Sequence, residues 1–472
     1  MKKKIAAVIL LLTDIGIIYI MLSSAMYIRK HILTLFFQFP EFPPINVFFF
    51  WWVFPVWLFF FAYEGLYSRR FSYWDEIKVL WKSAFFSTLA MFSILFLGKT
   101  GEHVSRTVLV TMALISLPIL PVIRLNMKKF LIRTGLLSSK VLILGAGKTG
   151  KLILSAFKKD TNLGLKVVGF IDDDPEKIGG EVDGIKVHGG VDKAHKYIGR
   201  CGIEDVVIAM PGCETVRTLE LINKLQHKAR KILLIPDLFG ITVLGTNLQH
   251  FFQEQAIGLE VRNNLARPLN VFTKRVFDWV MSMLLLFVML LPMLVIALMI
   301  KLTSKGPVIY SQLRSGKKGR PFKCYKFRTM YNDAEQRLTD LLGSDKQAQV
   351  EWERTWKLSK DPRITWVGRL LRETSLDELP QIFNILRGEM SLVGPRPVTQ
   401  DEIDEYYREQ AALCFGVPPG LTGLWQVSGR SNTSYAYRIA LDSWYVRNWN
   451  LWLDIVILFK TIRAVLKREG AV

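Results

Sequence analysis

Apolar patterning constrains this chain more than any other feature of its sequence. Four stretches near the start of its 472 residues are almost entirely apolar. They are Ile5–Leu22, Ile45–Tyr63, Ser83–Gly98 and Thr107–Ile123. Each is close to the roughly 20 residues that a helix needs to cross a bilayer. The pattern predicts a four-helix transmembrane bundle over residues 1–126.

Basic residues between these stretches predict the orientation of the bundle. With the amino terminus in the cytoplasm, the loops on that side carry twelve lysines and arginines, and the opposite loops carry four. Cytoplasmic loops hold the excess of positive charge, so both ends of the bundle are expected at the cytoplasmic face. The net charge of +21 suits anionic headgroups or phosphorylated substrates, and we find no nucleic-acid motif. Asp14 lies within the first stretch, where we expect a polar contact inside the bundle.

A glycine fingerprint opens the next region, which we assign as a Rossmann-like domain over residues 139–267. An apolar strand pattern precedes Gly145, Gly147 and Gly150, and a helical pattern follows. Asp172 ends a second strand pattern, where dinucleotide-binding folds place an acidic residue for a ribose. A bound nucleotide and an empty structural relic both stay open. A nucleotide-sugar oxidoreductase is disfavoured, because no tyrosine is followed four residues later by a lysine.

A fifth apolar stretch, Val280–Ile300, is long enough to span a membrane but has an unusual pattern. Basic residues flank it at both ends, and Pro292 lies near its centre. Proline removes a helix hydrogen bond and bends the axis. The pattern fits a re-entrant helix that returns to the face it entered from, and it fits an ordinary kinked span equally well. Two strand patterns follow, Val308–Leu313 and Phe322–Phe327, and they predict a hairpin.

The acidic pair Asp377-Glu378 stands among arginines and prolines, and two explanations compete for it. Ser375 and Glu378 have the spacing of a capping box at a helix start, which is the explanation that this motif alone favours. The other is a phosphate and metal site. Adjacent carboxylates can share one Mg²⁺, and Arg372 and Arg396 can bind phosphate oxygens. One site can serve both roles.

Apolar residues recur at helical spacing near the carboxyl terminus, at Trp452, Phe459, Ile462 and Leu466 among others. Basic residues lie off this stripe. Together with the neighbouring tryptophans, the pattern favours a helix at the bilayer interface over a helix packed in a core.

Several ordered motifs after residue 270 together resemble one family. They are KRVFD (274–278), the apolar stretch with its central proline, KGPVIYSQLRSGKKGRPFKCYKFRTM (305–330), SLDELPQIFNILRGEMSLVGPRP (375–397) and PGLTGLWQVSGR (419–430). These segments resemble the bacterial polyprenyl-phosphate sugar-1-phosphate transferases, which are monotopic phosphoglycosyl transferases. The bundle and the Rossmann-like domain are similar to those of the long members, of the galactose phosphotransferase type.

The resemblance implies a reaction and a set of site residues. Family members move a sugar-1-phosphate from a UDP-sugar to undecaprenyl phosphate or a related lipid, release UMP and use Mg²⁺. By position, Asp377 is the nucleophile and Glu378 its neighbour at the metal. Substrate contacts are expected from Arg372, Arg396, Lys326 and Arg328.

The implied fold class is a membrane α-helical bundle, an α/β Rossmann-like domain, and an α+β monotopic catalytic domain over residues 270–472. Its re-entrant helix would break at Pro292, where Leu291-Pro292 replaces the Ser-Pro of many short members. The resemblance also implies galactose or glucose as the sugar, a homodimer, and a multi-pass location in the bacterial inner membrane with the catalytic domain on the cytoplasmic face. The reaction would be the first membrane step in assembling an exopolysaccharide, an O-antigen or an S-layer glycan. The alternative is a non-catalytic membrane scaffold whose Rossmann-like domain senses nucleotide sugars.

Overall fold

The computed structural model describes residues 2–38, 50–98, 105–236, 247–251, 256–260, 264–355, 358, 361–428 and 434–466. The chain forms two compact units, Met1–Asp237 and Leu238–Val472. The first unit holds the amino-terminal helices and a largely parallel sheet. The second holds the fifth apolar stretch and the acidic pair.

Four apolar helices make up the first part of the first unit. They are α1 (Lys2–Tyr27), α2 (Val53–Tyr63), α3 (Tyr73–Leu97) and α4 (Arg106–Arg133). Among the residues of this unit that the structure describes, three segments are long and apolar enough to cross a membrane, namely Lys2–Leu35 and the whole of α3 and α4. The second predicted stretch shows only the 11 residues of α2, and its residues 45–49 lie outside the described part. α3 begins ahead of the predicted segment because the Ser72 hydroxyl caps it, accepting a bond from the Asp75 amide.

Buried charges tie these helices together. Asp14 and Arg124 are both fully buried and form an ion pair. The Tyr67 hydroxyl donates a hydrogen bond of 2.7 Å to the same carboxylate, and Lys128 pairs with Glu76. Removing one partner of a buried pair leaves an uncompensated charge and costs about 3–5 kcal/mol. The expected polar contact of Asp14 inside the bundle is confirmed.

A six-stranded sheet follows in the order β3-β4-β2-β1-β5-β6. Its strands are β1 (Ser139–Leu144), β2 (Leu165–Asp172), β3 (Glu181–Val182), β4 (Ile185–Gly189), β5 (Asp205–Ile208) and β6 (Lys231–Leu234). Only β3 runs antiparallel to its neighbour.

Helices cover both faces of this sheet. Val141 and Ile143 of β1 pack in one core with α5 (Lys148–Lys159). The alternate residues, Leu142 and Leu144, pack in the other core with α6 (Ala194–Cys201) and α7 (Thr215–Leu225). A parallel sheet with helices on both faces is the Rossmann-like architecture that the glycine fingerprint predicts.

The second unit combines one long apolar helix with a compact α+β region. Its helices are α8 (Pro268–Thr303), α9 (Ala334–Ser344), α10 (Lys346–Thr355), α11 (Trp366–Thr374), α12 (Gln381–Arg387), α13 (Gln400–Glu402), α14 (Ala411–Cys414), α15 (Tyr435–Asn448) and α16 (Leu451–Leu466). Its strands pair as β7 (Asn247–Phe251) with β8 (Ala256–Glu260), β9 (Ile309–Ser315) with β10 (Pro321–Phe327), and β11 (Ser391–Val393) with β12 (Gly420–Thr422). The β9–β10 pair is antiparallel and confirms the predicted hairpin.

α8 runs over 36 residues with Pro292 inside it, so the described backbone stays helical through the expected break. Most of its apolar side chains are exposed, including Phe287 at 83% and Leu291 at 72%. Exposure of this extent over a long apolar helix is typical of a surface that faces lipid.

Both ends of α8 are bonded to the same compact region. Near its start, the Lys274 ammonium lies 2.8 Å from the buried Asp454 carboxylate, and Arg275 donates to two carbonyls of α12. Just past its end, Ser304 accepts two hydrogen bonds of 2.8 Å from Arg328. The long helix therefore has an anchor at each end in one unit.

Candidate active site

The acidic pair lies in a tight turn, Leu376–Glu378, between α11 and α12. Ser375 ends α11 in the left-handed conformation, with φ at 58°, and its side chain makes no capping hydrogen bond. α12 begins only at Gln381. The capping-box prediction is wrong, because a left-handed residue closes the preceding helix, whereas an N-cap needs extended backbone.

Lys326 pairs with both carboxylates of this turn. Its ammonium nitrogen lies 2.7 Å from Glu378 Oε1 and 3.8 Å from Asp377 Oδ2. Lys326 is near the end of β10, and all three side chains are half-buried. The two carboxylates are therefore both directed at the Lys326 ammonium group.

Burial dominates the electrostatics of Asp377. It raises the pKa of this carboxyl to about 6, with the Lys326 and Arg372 cations opposing the rise and the Glu378 charge adding to it. The group is mostly ionised at neutral pH but poorly solvated, and both properties favour nucleophilic attack. Burial also lowers the pKa of the Arg372 guanidinium, and the nearby Asp377 carboxylate acts in the opposite direction by raising that pKa. A guanidinium keeps its charge under such a shift.

The start of α11 determines where Arg372 lies. The Thr365 hydroxyl caps this helix by accepting a 2.9 Å bond from the Gly368 amide. Gly368 packs so closely on the backbone of Thr329 that a Cβ would lie 2.0 Å from its carbonyl oxygen. Just over one turn later, Arg372 Nε donates to Thr329 Oγ1 at 3.0 Å. Arg372 is therefore positioned by a contact that only glycine permits.

Arg328 occupies a different place from the one its motif suggested. Its guanidinium is buried and donates to the carbonyl and the hydroxyl of Ser304, with a longer bond to Asn332 at 3.4 Å. These bonds hold the end of α8. The structure shows Arg328 as an anchor of the long helix, and its expected substrate contact stays a prediction.

Arg396 is exposed and lies with its guanidinium 5.7 Å from the centre of the Trp425 ring. Its charge and those of Lys326 and Glu378 all act on the buried thiol of Cys324, whose pKa burial raises to about 11. Since Cys324 and Lys326 are two residues apart on β10, they share one face of the strand. Arg396 therefore belongs to the same neighbourhood as the carboxylates.

The structure thus brings four predicted residues into one cluster, namely Asp377, Glu378, Lys326 and Arg372. Sequence reasoning missed Thr329 and Gly368, which position Arg372. Thr329 belongs to the KFRTM motif, so its place in the motif was the available signal. Gly368 carried no local signal, since its contact is with a residue 39 positions earlier in the chain.

The carboxylate pair fits a magnesium ion by its donor chemistry. Mg²⁺ in phosphoryl-transfer sites is commonly held by one or two carboxylates together with substrate phosphates and water. Asp377 and Glu378 already direct oxygens at a shared cation, the Lys326 ammonium. Within the described ranges, no group of three or more His, Cys, Asp or Glu side chains is arranged to hold a metal, so the pair would need substrate oxygens to complete a site.

The glycine fingerprint of the first unit borders a cavity of about 390 Å³. Its lining includes Gly147, Lys148, Lys151 and Lys177. Asp172 Oδ2 accepts a 2.8 Å bond from the Ala146 amide within the glycine loop.

Two of the fingerprint glycines serve close backbone packing. A Cβ at Gly145 would lie 2.6 Å from the Ala209 carbonyl oxygen, and one at Gly150 would lie 2.1 Å from the Gly145 oxygen. Gly145 also has φ at +101°, which side-chain-bearing residues rarely adopt.

Family comparison identifies the two parts of the chain. The bacterial sugar transferase family matches residues 269–468, and a CoA-binding domain matches residues 53–236. The chain belongs to the bacterial sugar transferases and is an enzyme of that class.

Two curated relatives extend the match over most of the chain. The undecaprenyl-phosphate galactose phosphotransferase of Salmonella typhimurium is 37% identical over 86% of this chain and 84% of its own. The UDP-glucose:undecaprenyl-phosphate glucose-1-phosphate transferase of Klebsiella pneumoniae is 34% identical over 71% of this chain and 69% of its own. Among solved structures, UDP-D-quinovosamine 4-dehydrogenase from Vibrio fischeri is 27% identical over 22% of this chain and 81% of its own, with a TM-score of 0.20.

Proposed function

We propose that this enzyme transfers hexose-1-phosphate, with galactose or glucose as the sugar, from a UDP-sugar to undecaprenyl phosphate and releases UMP. The observation that carries the proposal is the turn in which Asp377 and Glu378 face Lys326, with Arg372 adding a second cation. Relatives over most of the chain bear names for this reaction with galactose and with glucose.

The chemistry that suits this cluster is a double displacement at one phosphorus atom. An ionised oxygen of Asp377 attacks the sugar-linked phosphorus of the UDP-sugar, forms an acyl phosphate and expels UMP with the electron pair of the broken P–O bond. A phosphate oxygen of undecaprenyl phosphate then attacks the same phosphorus and releases the Asp377 carboxylate. Neither step needs a proton from the protein.

The cations of the cluster supply the stabilisation. Lys326 and Arg372 neutralise charge on the transferring phosphoryl group, which is the main task of a protein in such reactions. Mg²⁺ held by Asp377 and Glu378 would supply further neutralisation when bound.

We also propose that α8 is re-entrant. A straight helix would separate Arg275 from Ile300 by about 38 Å, at ~1.5 Å per residue. Arg275 is bonded to α12, while Ile300 shares an apolar cluster with Val367 and Leu371 of α11. α11 and α12 are six residues apart in the chain. Anchors on two consecutive helices of the same unit support a helix that bends at Pro292 and returns.

A membrane-facing surface on α16 supports the same arrangement. Phe459, Ile462 and Leu466 are exposed on this helix, while Val456 and Ile457 are buried on its other face. Of the tryptophans that neighbour this stripe in the sequence and that we predict at the interface, Trp449 is instead buried and donates to Asp454. An exposed apolar stripe beside basic residues suits the headgroup region.

The family resemblance supplies the remaining proposals. They are a multi-pass protein of the bacterial inner membrane with its catalytic unit in the cytoplasm, a homodimer, and the first membrane step of exopolysaccharide, O-antigen or S-layer glycan assembly. A nucleotide in the cavity that Gly147 lines is a further proposal, supported by the lysines that also line it.

Product release without the lipid tests the covalent route. We expect the purified chain to release about one equivalent of UMP per site from the correct UDP-sugar alone, and to retain label from the β-phosphate. Asp377→Asn should abolish both. Release of UMP only after lipid is added, on a protein that never carries label, would overturn the aspartyl intermediate and leave the transferase proposal standing.

A panel of UDP-sugars with undecaprenyl phosphate tests the transfer itself and identifies the sugar. If no UDP-sugar yields UMP and lipid-linked sugar, the transferase proposal fails. Glycan assembly that survives Asp377→Asn in cells would favour the scaffold alternative.

A further inference from the structure

Two guanidinium groups lie against the ring of Trp425 in the catalytic unit. Arg438 of α15 is 4.8 Å from the ring centre, and Arg396 of the GPRP segment is 5.7 Å from it. Trp425 is itself buried. One indole therefore brings together two arginines that are 42 positions apart in the sequence.

Aromatic stacking holds Arg438 in place. Its guanidinium also lies 5.4 Å from the centre of the Tyr435 ring, one turn earlier on α15. Tyr435 stacks on Tyr406 with ring centres 4.1 Å apart, and its hydroxyl donates to Glu402. A guanidinium held through its face keeps its planar N–H edge oriented, which is the geometry that phosphate recognition uses.

Close backbone packing holds Arg396 beside the same ring. β11, which precedes Arg396 in the chain, pairs in parallel with β12, which precedes Trp425. A Cβ at Gly394 would lie 2.8 Å from the Gly420 nitrogen, and one at Gly423 would lie 2.6 Å from the Gly394 carbonyl oxygen. The segments that carry Arg396 and Trp425 therefore meet at a contact that leaves no room for side chains.

Two carboxyl groups near this cluster are already engaged by other side chains. Glu402 is already shared between Tyr435 and Arg314, the latter at 3.2 Å. Asp442 is buried and accepts from Tyr407, and burial raises its pKa to about 8. Asp442 is therefore mostly uncharged at neutral pH.

We propose that Arg438 and Arg396 together bind a phosphate group of a transferase substrate. The shared chemistry is a phosphate oxyanion, which either the diphosphate of the nucleotide sugar or the headgroup of the polyprenyl phosphate presents. The inference rests on the proposed function. It adds Arg438, Tyr435 and Trp425 to the substrate surface, the last two as residues that position the arginines.

The location supports a role in the same reaction. Arg396 acts electrostatically on the Cys324 thiol, as Lys326 and Glu378 do, and Arg396 lies beside Trp425 together with Arg438. A two-arginine site there would bind the part of a substrate that does not react.

Binding measurements on the full-length protein in detergent test the proposal. The variants are Arg438→Gln, Arg438→Lys and, as a matched control on the same helix, Arg447→Gln, whose arginine is exposed. The probes are UDP alone, for which a Kd needs no turnover, and undecaprenyl phosphate, for which the KM is measured. We expect Arg438→Gln to raise either the Kd for UDP or the KM for undecaprenyl phosphate about tenfold or more, as loss of a charge-assisted hydrogen bond implies. Arg438→Lys should be weakened less, and Arg447→Gln should match the native protein.

The two arms identify the source of the phosphate. Weaker UDP binding assigns the site to the nucleotide, and a raised KM for undecaprenyl phosphate alone assigns it to the lipid. Both values unchanged in a folded Arg438→Gln protein overturn the proposal. A native chain that binds UDP through Arg438 but transfers no sugar would refute the proposed function and leave this site intact.

A second measurement avoids mutation in case Arg438→Gln does not fold. Phenylglyoxal modifies arginines, and peptide mass spectrometry reports the extent at each one. We expect UDP or undecaprenyl phosphate to protect Arg438 and Arg396 together in the native protein, with Arg447 unprotected. Equal modification of Arg438 with and without both ligands would refute the site.

Discussion

The Lys326 ammonium lies 2.7 Å from Glu378 Oε1, and the neighbouring Asp377 carboxylate is 3.8 Å from the same nitrogen. The lysine therefore occupies a point toward which both carboxylates are directed. A divalent cation bound by the pair would compete with this ammonium or displace it.

Replacing Lys326 by methionine should separate metal affinity from activity. We expect Lys326→Met to bind Mg²⁺ about tenfold more tightly, since it removes a competing charge worth about 1.4 kcal/mol or more. UMP release should nevertheless slow by about 100-fold, because a neutralising cation is lost. Calorimetric titration of Mg²⁺ into the protein without substrate measures the affinity.

Arg372→Met is the control for that experiment. It also removes a charge that acts on Asp377, but among the described residues Arg372 donates its hydrogen bond to Thr329 and not to the carboxylate pair. Equal tightening of Mg²⁺ binding in both variants would show a general charge effect and contradict the competition by Lys326.

The raised pKa of Asp377 predicts how the first step depends on pH. Only the ionised carboxylate attacks phosphorus, so UMP release should rise with pH through a midpoint of about 6 and level off above it. Because Lys326 lowers this pKa, Lys326→Met should move the midpoint to higher pH. Single-turnover rates across the pH range check both statements, and a midpoint near the ordinary value of 3.8 would contradict the burial of Asp377.

The raised pKa of Asp377 also predicts that ionising this carboxyl destabilises the folded protein, whereas ionising a carboxyl in most ion pairs stabilises it. The pKa of Asp377 is higher in the folded protein, about 6 against 3.8, so ionisation opposes folding as pH rises between these values. Asp377→Asn should therefore increase the free energy of unfolding at pH 7.5 by at most about 3 kcal/mol and raise the thermal midpoint accordingly. At pH 3 the midpoint should be unchanged. Asp340→Asn, which removes a carboxylate from an exposed site on α9, is the control.

Gly368 should tolerate no side chain. A Cβ there would lie 2.0 Å from the Thr329 carbonyl oxygen, so Gly368→Ala must displace α11 and with it Arg372. We expect a loss of about 1–3 kcal/mol in stability and a raised KM for the UDP-sugar. Gly343→Ala in α9 is the matched control, since no atom lies within 4 Å of its Cβ position and helix propensity favours the change. Equal behaviour of the two variants would contradict the packing argument.

Cysteine accessibility tests the re-entrant helix. Leu269 at the start of α8 and Lys305 just past its end are exposed, so each is replaced by cysteine in a chain whose four native cysteines have been removed. We expect both positions to react with an impermeant thiol reagent only in inverted vesicles, as cytoplasmic sites should. Phe36→Cys, on the predicted outer side of the bundle, should react in intact cells. Labelling of position 305 in intact cells would show that α8 crosses the membrane.

Local patterns in the sequence were enough to determine the apolar helices, the Rossmann-like sheet and the β9–β10 hairpin. Each depends on periodicity or composition within a short segment, as in the alternation of Val141 and Leu142 between the two faces of the sheet. The acidic pair was also evident, because Asp377 and Glu378 stand in an ordered set of family motifs.

Only the tertiary structure decided which side chains meet. Ser375 fits a capping box by spacing, yet its left-handed backbone ends α11 instead. Lys326 reaches Asp377 across 51 positions of the chain, and Arg328, two residues after Lys326, turns to Ser304. Such contacts depend on how strands and helices pack, and sequence spacing carries no information about packing between distant segments. The sequence by itself therefore determined the elements and the class of chemistry, whereas packing selected the residues that surround the nucleophile.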